Sequence, residues 1–95
     1  MSNLWGNKYV AEAYAVGADW APRLEGATIS GTPSAVLLSG TVGINQAPPS
    51  GFDPVSGPVQ NVWLSGGVPG LVRVMLTIET SDGRTLQEVY SFKVL

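Results

Sequence analysis

Seven carboxylates, Glu12, Asp19, Glu25, Asp53, Glu79, Asp82 and Glu88, are the side chains of this 95-residue chain best suited to acid–base or metal chemistry. Histidine and cysteine are both absent, which removes the commonest general base, the soft metal ligands and the thiol nucleophile together. The carboxylates follow no Asp-x-Asp-x-Asp-Gly calcium pattern, and no two stand close in sequence. A glycosidase-type pair could assemble only across strands, and a fold this small rarely holds the deep cleft it needs. Ser65, Gly66, Gly67 and Gly70 do not form a phosphate loop, because no lysine follows and no helix is predicted after them. Asp82 is better explained as a turn residue, with Glu79 and Arg84 flanking it as a possible cross-strand ion pair. The chemistry points away from an enzyme, and no cofactor or metal is implied.

The elements that would position these groups are strands. Val72, Val74, Leu76 and Ile78 alternate with Arg73, Met75, Thr77 and Glu79; Ser81-Asp82-Gly83 then interrupts; and Leu86, Tyr90, Phe92 and Val94 resume the same two-residue period. That period places one residue set on one sheet face. Gly83 can take a positive φ without steric cost and Asp82 tolerates one, so residues 72–94 read as an antiparallel hairpin. Ser-Gly pairs at Ser30-Gly31, Ser39-Gly40, Ser50-Gly51, Ser56-Gly57 and Ser65-Gly66 punctuate the rest. Turn signals about every 8–12 residues mark a sandwich or small barrel. Strands are predicted near 9–19, 26–30, 34–38, 40–44, 59–64, 71–80 and 84–94. Gly17 and the alternation of Tyr14, Val16 and Ala18 favour strand over helix in the first.

Residues 1–8 form an N-terminal arm and residues 9–95 a single β domain. Pro48, Pro49, Gly51, Pro54, Gly57 and Pro58 exclude a helix or central strand from 46–58, leaving a long surface loop that is either functional or a tolerated insertion. Trp20, Trp63, Tyr90 and Phe92 lie in or beside strand patterns and are expected in the core. Trp5 has two readings: an anchor into a neighbouring chain, or a lid over an open end of its own sandwich. Leu4, Trp5, Phe52 and Val55 are the apolar groups of the arm and loop, and they are the candidate partner interface.

Only 13% of residues are charged, against about a quarter in ordinary soluble domains, which favours permanent assembly. The five bases are scattered and the net charge is −2, so nucleic-acid binding is not expected. Met1 to Gly6 lacks the basic start and apolar run of a secretory leader, and no run approaches the roughly 20 apolar residues that span a bilayer. A soluble protein made in the cytoplasm, without membrane contact, is expected.

Asp19-Trp20-Ala21-Pro22-Arg23-Leu24, then Gly26-Ala27-Thr28-Ile29, then Val62-Trp63-Leu64-Ser65-Gly66-Gly67, then Gly83-Arg84-Thr85 with a strand ending at Val94, occur in that order. In these landmarks the chain resembles the small phage fiber-tail adaptor family over roughly residues 9–95. It departs from the family pattern at Val68-Pro69-Gly70, after the double glycine, and in a longer 46–58 loop. The resemblance implies an all-β, immunoglobulin-like antiparallel sandwich of about seven strands. It also implies a structural virion protein, located in the tail and present in several copies, that joins tail or portal-proximal proteins to fibers. Capsid decoration and a host-surface carbohydrate-binding module are the alternatives. The latter needs Trp63 and Tyr90 exposed on one face, whereas Tyr90 shares the inward period of Phe92.

Overall fold

A computed structural model describes residues 3–95. The two-residue alternation at 72–94 becomes a long antiparallel pair, β7 (Gly70–Thr80) and β8 (Thr85–Val94), in register from Gly70 opposite Val94 to Glu79 opposite Thr85. Val72, Val74, Leu76, Ile78, Leu86, Phe92 and Val94 are buried on one face, as the alternation requires. The turn is a three-residue loop. Gly83 N–H donates to the Thr80 carbonyl at 3.0 Å, Thr80 N–H donates to the Arg84 carbonyl at 2.9 Å, and Gly83 sits at φ 87°. Asp82 keeps a negative φ, so only the glycine takes the left-handed position.

The remaining strands are β1 (Asn3–Leu4), β2 (Ala13–Asp19), β3 (Ile29–Ser39), β4 (Gly43–Ile44), β5 (Val55–Ser56) and β6 (Val59–Ser65). One sheet runs β1-β8-β7-β3; the other runs β2-β6-β4, with β5 also paired to β6. Ala18, Val62 and Leu64 from the second sheet meet Val72, Val74, Leu76 and Phe92 from the first in one core cluster, so the fold is an all-β sandwich of two packed sheets.

Several sequence-based expectations change. The predicted strands at 26–30 and 34–38 are one strand, β3, whose register slips between Ser30 and Ser34 and again between Leu37 and Ser39. Gly31 takes φ 68° and Pro33 has no amide hydrogen to give, so the pair forces a bulge rather than a turn. The strand at 9–19 begins only at Ala13, and that at 40–44 shrinks to Gly43–Ile44. A four-residue helix, α1 (Ala21–Leu24), follows Asp19, whose carboxylate accepts from Ala21 N–H at 2.9 Å, with Pro22 in the first turn.

Trp63 is not in the core. Gln60, Val62 and Leu64 occupy the inward positions of β6, so parity turns Trp63 to the outer face, where it is half-buried. Glu79 and Arg84 do not pair; Arg84 binds Asp82 and Glu25 instead.

Candidate protein-protein interface

The N-terminal arm is tied down as a strand. β1 pairs parallel with β8, Leu4 opposite Ser91, and the backbone contact continues as Trp5 N–H donates to the Ser91 carbonyl and Lys8 N–H to the Lys93 carbonyl, each at 2.9 Å. Trp5 stacks on Tyr90 with ring centroids 4.6 Å apart and lies 6.1 Å from Phe92; its indole N–H donates to the Gly17 carbonyl of β2 at 3.0 Å. The indole therefore bridges the open edges of the two sheets. Of its two possible placements, the structure has the second: Trp5 closes its own sandwich. Leu4 points away and is 80% exposed.

Lys8, which composition alone leaves as one scattered base, is fully buried. Its ammonium donates to the carbonyls of Tyr9 (2.9 Å), Val10 (3.3 Å) and Gly66 (2.6 Å), so its three hydrogens all have acceptors. The arm is thereby fastened to the double glycine. Gly67, at φ 118°, packs where a Cβ would stand 2.9 Å from the Thr41 carbonyl, so only glycine fits.

The 46–58 loop lies against the other sheet. The Asn45 carboxamide oxygen accepts from Trp63 N–H at 2.8 Å, and the Asp53 carboxylate accepts from Val55 N–H at 3.0 Å. Phe52 meets Trp63 edge-on at 6.2 Å. Val55 lines an apolar recess of about 380 Å³ with Leu24, Ala27, Thr28, Gly57 and Pro58. The candidate residues do not converge: Leu4 and Trp5 sit at the β8 edge of one sheet, while Phe52 and Val55 sit over β6 of the other. Trp63 and Tyr90 likewise belong to different sheets, and Phe52 stands at an interplanar angle of 70° to Trp63, so these two rings do not share a plane.

The remaining landmark residues are braces. Trp20 is buried, and its indole N–H donates to the Gln60 carboxamide oxygen at 3.1 Å; Gln60 in turn donates to the Ser34 carbonyl at 3.0 Å, linking both sheets through the core. Arg84 donates to the Leu24 carbonyl at 2.7 Å and the Arg23 carbonyl at 3.0 Å, capping α1 from the hairpin turn. Hydrogen bonds from Arg84, and then from Thr80, hold the Asp82 carboxyl below the usual carboxylate range, and the same Asp82 contact raises Arg84. Thr85 opposes Glu79, and Ser65 opposes both Ala13 and Gly43. Burial, and then nearby Glu88 and Asp19, push the Tyr90 hydroxyl up.

Among the described residues no group of three or more carboxylates is placed to hold a metal ion, and no helix is long and apolar enough to cross a membrane. The chain is thus an all-β scaffold whose distinctive residues brace its own corners and which leaves several large apolar side chains exposed. The model of the podophage GP4 fiber-tail adaptor protein gp77 matches residues 8–93, and the chain belongs to that family. No curated protein matches the chain.

Proposed function

We propose that this protein joins the tail of a podophage to its fibers by protein–protein contacts, as one of several copies in a symmetric assembly. The family match across residues 8–93 carries this reading. Exposed apolar side chains on a rigid sandwich support it, since large side chains seated in a partner's pockets usually dominate such contacts. Leu4 of the arm and Phe52 and Val55 of the 46–58 loop face the neighbours, on separate surfaces as an adaptor between two partners requires. Trp5 acts by fixing the direction in which Leu4 leaves the sandwich. The protein is made in the host cytoplasm and ends in the virion tail. It uses no cofactor and binds neither nucleic acid nor membrane.

Phage unable to make this protein are expected to assemble tails without fibers, and a tagged copy should appear in cryo-EM classes as density at the tail vertex. Fibers still attached in its absence would overturn the reading. Density spread over the capsid would replace it with decoration.

A further inference from the structure

Three of the five basic side chains have partners. Lys8 is buried among carbonyls, Arg23 pairs with Glu88, and Arg84 pairs with Asp82 and Glu25. Among the described residues Arg73 and Lys93 form no ion pair, and both are exposed on the same outer face of the β3-β7-β8 sheet. Arg73 stands opposite Ser91 and Lys93 opposite Leu71, which makes them diagonal neighbours. Among the described residues Glu79 is the one acidic side chain on that face, six residues along β7 from Arg73, about 20 Å away.

The surroundings of these cations are apolar. Val36, Met75 and Val89 stand in register across the three strands; Leu71 is 59% and Val36 55% exposed; and Leu4 lies opposite Ser91 at the β1 edge. Among the described residues, an acidic chain has thus placed its two unpaired basic side chains side by side on one sheet face, next to exposed Leu71 and the Val36, Met75 and Val89 row. Like charges left as diagonal neighbours repel, and an anion between them would turn that repulsion into attraction.

We propose that this face docks a different virion protein, one that presents carboxylates among apolar side chains. A second copy fits poorly. Two copies meeting face to face across a twofold axis would oppose Arg73 and Lys93 with their own equivalents. Elsewhere on the chain Asp82, Glu25 and Glu88 are already engaged by Arg84 and Arg23, and Glu12, Asp19 and Asp53 each accept a backbone N–H. A phosphate backbone fits poorly too, since two cations fall short of the several contacts such binding uses. The inference deepens the adaptor reading, and rests on it, by assigning one partner's chemistry to one surface.

The test places a photo-crosslinking amino acid at Met75, and in parallel at Ala15 on the outer face of the other sheet, in full-length protein supplied to phage lacking their own copy. Purified virions are irradiated and the adducts sequenced. Adducts from position 75 should fall on a different virion protein, beside Asp or Glu. A double variant, Arg73→Glu with Lys93→Glu, should enter virions at least tenfold less than wild type while keeping its melting temperature. Reversing the cross-linked carboxylates to lysine should restore entry. Adducts only with a second copy, or normal entry of the double variant, would overturn the proposal. If the double variant melts early, Arg73→Gln with Lys93→Gln takes its place, with loss of entry again the expected result. Failure of the wild-type protein to enter virions would instead sink the adaptor reading itself.

Discussion

At the scale of single residues, two charges show how environment decides role. Lys8 is completely buried, and Lys8→Met would strand the Gly66 and Tyr9 carbonyls without a donor. An unmet buried polar group costs roughly 1–3 kcal/mol, so the variant should lose about 3 kcal/mol in urea unfolding. An unchanged midpoint would mean that water replaces the ammonium without loss. Asp82 is exposed, and its effect is seen through pH. Its carboxyl is held below its ordinary value by Arg84 and Thr80, so its stabilisation is present at neutral pH and fades as pH falls through the folded-state value. The melting temperature of wild type should exceed that of Asp82→Asn at pH 7, with the gap closing as pH falls below the ordinary carboxylate range. A gap that is constant with pH would assign the effect to turn geometry instead of charge.

At the scale of elements, the hairpin was legible in the sequence because its period and its turn agree. Phe92, at the centre of that inward set, is 2% exposed, and Phe92→Ala should cost about 3–5 kcal/mol by chemical denaturation. Wild-type stability in that variant would refute the inward assignment. Gly83→Val should cost about 1–2 kcal/mol, because φ 87° is closed to a β-branched side chain. What the sequence concealed was set by tertiary contacts. The Ser30-Gly31 pair reads as a turn, yet the chain continues beyond it as β3, paired to β7 on both sides of the bulge. Parity within β6 was open to reading and points Trp63 outward, but an indole in a strand suggests core on composition alone. Of the site, the landmark residues were visible as a resemblance. Their physical work, such as Arg84 capping α1 across 60 residues of sequence, leaves no local pattern.

At the scale of the whole molecule, the two sheets are coupled at three places: the common core, the Trp20–Gln60–Ser34 hydrogen bonds, and the arm, which touches β8 through Trp5 N–H, β2 through the indole and the double glycine through Lys8. The arm therefore acts as a clamp on both sheets although its ladder is only two residues long. This bears on assembly, because Leu4 can present a fixed surface only while Trp5 stays seated. Trp5→Ala removes a half-buried indole from Tyr90 and Phe92, and should cost about 2 kcal/mol, below the roughly 3–5 kcal/mol of a fully buried tryptophan. For a domain of this size that is a melting decrease on the order of 10 °C. Hydrogen exchange separates a clamp from an independent flap. In the clamp, the variant speeds exchange of the β2 amides and of the β7 amides in the shared core along with those of residues 3–8, because opening the arm loosens both sheets. If only the arm amides quicken while β7 and the melting temperature stay as in wild type, the arm opens on its own and Leu4 is held by the partner rather than by the sandwich.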